Sequence, residues 1–258
     1  MNKYLIIPVF DRIEESLELA RKYNLGFEFD DFFSPKILLD ENKLIEKTNK
    51  YLSLDLPDCL TVHGDFFDVN VFSDDPEIAA VSVKRIYQSM EVANTLKVNK
   101  IVFHSNINSY IQSDVYKDNW LNRNYEVFTK VCEQYPSITV LIENMFDDGP
   151  EMLLKLASKM EGVKNFAVCL DYSHAFLSKY EPSYWVKTLG KYIDHVHIND
   201  NMKDHDSHMA LGEGMIDWTE FDELRKLYFP NATVLIEVSS LEAQIKTLEY
   251  MQRNNMFD

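Results

Sequence analysis

The chain has 258 residues, with 42 Asp and Glu side chains against 26 Lys and Arg, so its formal net charge is −16. A hydrophobic content of 46% and a charged content of 26% are typical of globular proteins and argue against disordered, collagen-like and coiled-coil chains. Because a surface this negative repels phosphate backbones and no basic run is visible, we do not expect a nucleic-acid partner.

The cysteines and the first apolar stretch indicate where the protein functions. Cys59, Cys132 and Cys169 are odd in number, far apart and free of any Cys-x-x-Cys spacing, which argues against a disulfide scaffold and a thiolate zinc site. The apolar run that begins at Tyr4 is interrupted by Pro8 and followed by acidic residues, unlike a signal peptide or a membrane span. We therefore expect a cytoplasmic protein with no membrane partner.

Eight short apolar runs, rich in β-branched and aromatic residues, recur along the chain at strand length. They are residues 4–9, 26–30, 60–64, 100–104, 138–143, 167–171, 195–199 and 233–238. The segments between them have helical periodicity, and Pro76 and Asp217 stand where helices begin. This alternation predicts an α/β protein, a single parallel (β/α)8 TIM barrel domain over residues 1–258. An open doubly wound sheet is the alternative, but no Gly-x-Gly-x-x-Gly follows any strand.

Residues that bind metals or transfer protons lie at the carboxyl ends of six predicted strands. They are His63, His104, Glu143, Asp171, His197 and Glu237. In a TIM barrel these strand ends meet at one mouth, so we expect the six side chains to face one cavity. Each alone is more typical of a hydrogen-bonded structural residue, but together they would bury like charges unless a cation lies between them. Imidazoles with carboxylates favour a divalent metal, zinc or manganese first.

Three further candidates follow the sixth and seventh strands. His174 lies three residues after Asp171, and Asp206 and His208 are spaced so that both reach one ion from an extended loop. The run Gly212-Glu-Gly214 behind them indicates a loop held in a tight turn. A second, more peripheral metal site is one interpretation, and a solvated acidic loop is the other.

Two segments make the chain recognisable. They are Cys169-Leu-Asp-Tyr-Ser-His-Ala175, and His197-Ile-Asn-Asp200 followed by Asp206-Ser-His208 and Gly212-Glu-Gly214. With the strand order, they resemble the xylose isomerase-like barrel superfamily over essentially the whole chain. Two branches of that superfamily are relevant, the type IV apurinic endonucleases and the sugar-phosphate isomerases and epimerases.

The resemblance to the endonuclease branch implies a trinuclear zinc site that hydrolyses a phosphodiester. Glu143 would bridge two ions, and no ligand of the set is missing. The implied ligands are His63 and His104 for the first ion, Asp171, His197 and Glu237 for the second, and His174, Asp206 and His208 for the third. The chain departs from this branch at Ser207, where Arg is expected, and at Asp30 and Asp65, which follow strands where DNA-gripping loops would lie.

The resemblance to the isomerase branch implies one divalent ion. Its ligands would be Glu143, Asp171, His197 and Glu237. Glu143 and Glu237 would then remove and return a proton on opposite faces of the substrate, and His174 would serve the substrate as a third catalytic residue. Candidate substrate-binding residues are Glu28, His63, His104, His174 and Trp218. For Trp218, packing is the alternative role.

We favour a metal-dependent isomerase or epimerase with one to three ions that acts on a sugar, a sugar phosphate or a related polyhydroxy compound. Basic residues such as Lys117, Arg123 and Lys203 are scattered among acidic ones, which favours a small polar substrate over a nucleic acid. The alternatives are an endonuclease IV-like multi-zinc phosphoesterase and a barrel that binds metal or ligand without catalysis. Phenylalanines near the predicted mouth, at 32, 33, 66, 67 and 72, fit an apolar pocket wall or a contact within a homo-oligomer.

Overall fold

The computed structural model describes residues 3–66 and 68–257, so Phe67 lies outside the described residues. Eight parallel strands form a closed barrel in chain order, with β1 paired to β8. The strands are β1 Tyr4–Ile6, β2 Gly26–Phe29, β3 Leu60–His63, β4 Lys100–His104, β5 Thr139–Glu143, β6 Phe166–Asp171, β7 Ile193–Ile198 and β8 Thr233–Ile236. The predicted (β/α)8 TIM barrel is confirmed.

Helices surround the barrel and connect its strands. They are α1 Ile13–Tyr23, α2 Pro35–Leu38, α3 Glu41–Leu52, α4 Pro76–Leu96, α5 Asp114–Gln134, α6 Glu151–Lys159, α7 Tyr172–Leu177, α8 Pro182–Leu189, α9 Trp218–Tyr228 and α10 Leu241–Arg253. The predicted helix starts are correct, since Pro76 begins α4 and the Asp217 carboxylate accepts from the first-turn amides of α9. Within the described part of the chain, every helix is too short or too polar to span a bilayer.

Successive side chains on each strand point alternately to the core outside the barrel and to the barrel interior. On β4, Ile101 and Phe103 pack in the core between the strands and the helices, whereas Val102 packs with its counterparts on β5 and β6. His104 lies two residues further along the same inward face. The polar strand ends therefore stand on an apolar floor inside the barrel.

Candidate metal centre

A layer of buried polar side chains closes the carboxyl end of the barrel. Strand register makes His104 the partner of Glu143 and Asp171 the partner of His197, which sets neighbouring side chains side by side. Glu143, Asp171 and His197 have no solvent exposure, and His63 is 3% exposed. Parallel pairing thus brings residues distant in sequence into one layer.

The first ligand group consists of His63, His104 and Glu143. The Nε2 atoms of the two imidazoles lie 3.2 Å apart, and they are 3.5 and 3.4 Å from Glu143 Oε2. Nδ1 of His63 donates to the carbonyl of Gly64 at 3.0 Å, which leaves Nε2 as the atom that can bind a metal. The ring of Phe66 lies 5.1 and 4.6 Å from the two imidazole rings. Three ligand atoms therefore converge beside an aromatic wall.

The second ligand group consists of Glu143, Asp171, His197 and Glu237. His197 Nδ1 lies 3.2 Å from Glu143 Oε1 and 3.4 Å from Glu237 Oε1. The backbone N–H of His174 donates to Asp171 Oδ1 at 2.6 Å, which leaves Oδ2 for a ligand. Glu143 therefore belongs to both groups, with Oε2 facing the first and Oε1 facing the second.

The third ligand group consists of His174, Asp206 and His208. Asp206 Oδ2 lies 3.2 Å from His174 Nε2 and 2.8 Å from His208 Nε2. The Nδ1 atoms of the two histidines face backbone carbonyls, that of Asn144 at 2.9 Å and that of Glu237 at 2.9 Å. Each of the two rings, oriented by a backbone carbonyl, thus presents its Nε2 atom to the Asp206 carboxylate. The loop after β7 brings its predicted candidates to the mouth.

Asp200 holds the loop that carries the third group. Its Oδ2 accepts from the backbone N–H of Gly212 at 2.9 Å and from Trp218 Nε1 at 3.0 Å, and its Oδ1 accepts from the N–H of Ile216 at 3.2 Å. Gly212 has a φ of +84°, a conformation that glycine adopts at no steric cost. Trp218 is 2% exposed and packs on Phe221, so its hydrogen bond to Asp200 helps to support the loop, in agreement with the packing role.

Glu28 lies behind the second group inside the barrel. Its Oε2 accepts from Thr61 Oγ1 at 2.5 Å and lies 3.0 Å from His195 Nε2, while its Oε1 is 3.1 Å from His197 Nε2. The carboxylate therefore contacts His197 on the ring edge opposite Glu143. Predicted as a substrate-binding residue, Glu28 is here a buried partner of a candidate ligand.

Cys169, His195 and His197 form another set whose donor atoms lie within 4.8 Å of one another. Both ring nitrogens of His195 are engaged, Nδ1 with Thr233 Oγ1 at 2.6 Å and Nε2 with Glu28 Oε2 at 3.0 Å. Burial raises the pKa of the Cys169 thiol well above its usual value, which disfavours the thiolate that binds metal. The three groups at the mouth are the better candidates.

Charges within the centre shift its pKa values. Burial is the largest influence on Glu143, yet the neighbouring His197 and His104 hold the pKa of its carboxyl well below the usual value. Burial lowers the pKa of His63, but its contact with Glu143 outweighs this and raises the pKa to about 9. The carboxylates are thus balanced by imidazole protons, which a bound cation would displace.

Asp30, directly after β2, was not among the predicted site residues. Burial raises the pKa of its carboxyl to about 7; His63 opposes this shift, and Glu237 and Glu28 add to it. These neighbours place its charge within the field of the metal centre. Its position at a strand end is the signal that the sequence offered.

Buried atoms without a hydrogen-bond partner test whether these residues fit divalent ions. They include Glu143 Oε1 and Oε2, Asp171 Oδ2, and His197 Nδ1 and Nε2. Their approaches to one another, such as 3.2 Å between His197 and Glu143, lack hydrogen-bond alignment. Folded proteins rarely leave such atoms unsatisfied, and nitrogen and carboxylate donors at one point are the ligands of zinc and similar ions. The residues therefore fit divalent metal ions.

Comparison with known proteins places the chain in a family. A sequence model of the xylose isomerase-like TIM barrel family matches residues 13–254. The probable endonuclease 4 of Symbiobacterium thermophilum is 28% identical over 171 residues, 57% of this chain and 59% of that protein. A Thermus thermophilus protein, in a structure obtained by soaking with ZnCl2, has a TM-score of 0.77 at 24% identity, covering 98% of this chain and 97% of its own. A D-tagatose 3-epimerase-like protein has a TM-score of 0.76 at 22% identity, covering 97% of this chain and 96% of its own. The fold and the family match agree, and the chain belongs to the xylose isomerase-like TIM barrel family.

Proposed function

We propose that the chain is a multi-metal phosphoester hydrolase that acts on a small substrate. The observation that carries this proposal is the geometry of Glu143, whose Oε2 lies 3.5 and 3.4 Å from His63 and His104 while its Oε1 lies 3.2 Å from His197. A carboxylate that presents one oxygen to each of two ligand groups is suited to bridge two ions. A single ion bound by the second group would leave the two imidazoles of the first group without a metal ion to bind.

Bound divalent ions would supply a hydroxide nucleophile at neutral pH and stabilise the leaving oxygen. The side chains of the chain orient that chemistry. The carbonyls of Asn144 and Glu237 accept from Nδ1 of His174 and His208, so both rings present Nε2 to Asp206. Such outer contacts fix the tautomer and the ring plane of a ligand histidine.

The acidic surface supports a small substrate. A duplex that docks through its phosphates needs several Lys or Arg at the contact surface, and the chain carries a net charge of −16. The name of the Symbiobacterium relative supports phosphoester chemistry, whereas this net charge supports a substrate much smaller than DNA.

Isomerisation or epimerisation of a sugar is the second candidate. Glu143 Oε1 and Glu237 Oε1 lie 3.2 and 3.4 Å from the same nitrogen of His197, so two carboxylates flank one ligand position. One of them would remove a proton from a carbon of the substrate and the other would return it. The fold shared with an epimerase-like protein is compatible with this chemistry.

Metal stoichiometry and an activity screen on the same preparation separate the candidates. Elemental analysis of protein purified without chelator gives the ions per chain. The preparation is then assayed on p-nitrophenyl phosphate, bis-p-nitrophenyl phosphate and an abasic-site duplex, and on D-fructose and D-tagatose. We expect more than one metal ion per chain and hydrolysis of a small phosphoester. In Glu143→Gln, the hydrolytic activity should fall at least about a hundredfold.

The control variant is Glu133→Gln, an exposed carboxylate on α5 that should keep the metal content and the activity. One ion per chain together with conversion of a ketose would support the epimerase instead. Efficient cleavage of the abasic duplex at physiological salt would contradict the proposal of a small substrate, but it would support the proposal of a phosphoester hydrolase.

A further inference from the structure

A cavity of ≈ 460 Å³ lies beside the metal centre, between the loops that leave β4 and β5. Ile107 and Asp147 line it, three residues after His104 and four residues after Glu143. Since a residue spans at most about 3.6 Å of chain, their Cα atoms lie within about 11 and 14 Å of those of the two ligands. The cavity and the metal centre are therefore on the same, carboxyl-end side of the barrel.

Three lysines that are distant in sequence line this cavity. Lys117 comes from α5, Lys155 from α6 and Lys179 from the segment after α7. Among the described residues, none of the three has a carboxylate within ion-pair distance, and Lys117 Nζ donates to the neutral Gln112 Oε1 at 2.8 Å. Three lysines without a direct ion-pair partner around one cavity can each contact an anion, although the same wall also carries three carboxylates.

The N-terminus of α6 adds hydrogen-bond donors to the wall of the cavity. Its N-cap residue is Pro150, which offers no side chain to accept from the first-turn amides, and Gly149, Glu151 and Met152 line the cavity. Uncapped amides at a helix start carry partial positive charge and bind oxyanions. Lys155 stands one turn further along the same helix and lines the same cavity.

Acidic residues in the same cavity limit what can bind. Asp147 is 6% exposed, and its Oδ1 has no hydrogen-bond partner among the described residues. Asp148 and Glu151 also line the wall, and Glu151 Oε1 accepts from Tyr184 OH at 3.2 Å. Hydroxyl groups of a ligand can donate to the exposed carboxylates of Asp148 and Glu151, whereas a bare anion is repelled by them. The cavity therefore suits a ligand that carries both an oxyanion and hydroxyls.

We propose that this lysine pocket (Lys117, Lys155 and Lys179 with Asp148 and Glu151) binds a second, remote oxyanion of the substrate, set on a hydroxylated carbon chain. The inference rests on the proposed function only in calling the ligand a substrate. It assigns the specificity of the enzyme to small molecules with two anionic groups, one at the metal centre and one held by the lysines.

Inorganic phosphate is the probe for the binding test. Lys155 and Lys179 are exposed, so Lys155→Gln/Lys179→Gln should leave the fold intact, and Lys164→Gln/Lys187→Gln removes two exposed lysines that do not line the pocket. Calorimetric titrations compare the two lysine pairs in the Glu143→Gln background, in which the metal centre is impaired, because phosphate would also bind an intact metal centre. We expect phosphate binding to persist in Glu143→Gln and in the control pair, and to weaken at least about tenfold in Lys155→Gln/Lys179→Gln, as the loss of charge-assisted contacts implies.

A kinetic test then addresses turnover. With fructose 1,6-bisphosphate and fructose 6-phosphate as substrates, Lys155→Gln/Lys179→Gln should raise KM for the bisphosphate alone. A phosphate Kd in this variant within twofold of the control pair, or no binding to any variant, overturns the pocket. Lysine-dependent phosphate binding without phosphoester hydrolysis keeps the anion pocket and overturns the hydrolase, so the two failures are distinguishable.

Discussion

Glu28 Oε1 lies 3.1 Å from His197 Nε2 in the barrel interior, where neither side chain is more than 1% exposed. The negative charge of a buried carboxylate behind an imidazole favours a proton on the near nitrogen and raises the basicity of the other nitrogen as a ligand. Here it leaves His197 Nδ1 facing Glu143 and Glu237 at the mouth. Glu28 thus acts on the metal centre through His197, as a positioning residue.

Glu28→Gln should weaken metal binding about 10- to 100-fold, because an amide cannot supply the negative charge that raises the basicity of His197 Nδ1. Titration against a fluorescent chelator measures this affinity. Glu18→Gln, an exposed position on α1, is the matched control. If Glu28→Gln raised KM for a substrate while metal affinity stayed unchanged, the original expectation of a substrate-binding residue would be the correct one.

The loop after β7 contains a matched pair of histidines that tests the third ligand group. His208 Nε2 lies 2.8 Å from Asp206 Oδ2, whereas His205 is 73% exposed and its carboxylate partner is Asp204. His208→Asn should therefore remove about one ion per chain and His205→Asn none, as read by elemental analysis. Equal metal content in the two variants would mean that the third group is only a hydrogen-bonded loop.

The barrel and the members of its polar mouth could be predicted because both depend on local patterns. His104 and Glu143 end strands whose preceding residues are apolar, and the closed parallel topology brings such ends together whatever the details of packing. His174 follows Asp171 by one helical turn, so its place at the mouth also follows from local geometry.

What the sequence could not reveal depends on register between distant strands and loops. Glu28 was predicted as a candidate substrate-binding residue, and Trp218 as either a substrate-binding or a packing residue. The contacts of Glu28 Oε1 with His197 Nε2 and of Trp218 Nε1 with Asp200 Oδ2 join distant elements, and no spacing along the chain predicts them. Lys117 was interpreted as one of several scattered basic residues. Tertiary folding places it with two other lysines around one cavity, a juxtaposition that no spacing along the chain encodes.

Trp218→Phe should lower the free energy of unfolding by about 2 to 3 kcal/mol, because Asp200 loses a hydrogen bond to its charged oxygen. The Gly212 amide alone would then hold Oδ2, so we also expect a lower metal content in the third group. Trp185→Phe is the control, since that fully buried indole donates to the neutral Ser178 Oγ at 2.9 Å. Urea unfolding followed by circular dichroism gives the stability, and equal effects on metal content in both variants would contradict the role of Asp200.

Asp147 makes the stability of the protein depend on pH. Its Oδ2 accepts from Ser105 Oγ at 2.5 Å and from the Met145 N–H at 3.0 Å, and burial nevertheless raises the pKa of its carboxyl to about 6. Because this pKa exceeds the unfolded value of about 3.9, the native state binds more protons than the unfolded state between the two values. The contribution of Asp147 is therefore fully present below about pH 4 and is lost as the pH rises through about 6.

Asp147→Asn removes this titration and keeps a side chain of similar size. The unfolding free energy of the variant minus that of the natural chain should rise between about pH 4 and 7, by on the order of 2 kcal/mol, and then level off. Urea unfolding at a series of pH values measures the difference, in which groups common to both chains cancel. Asp148→Asn, at the exposed next position, controls for the loss of one charge from the same loop. A difference that stays constant over this range would show that the Asp147 carboxyl is ionised in the native protein throughout, and that its buried oxygen is compensated by a partner such as a bound cation.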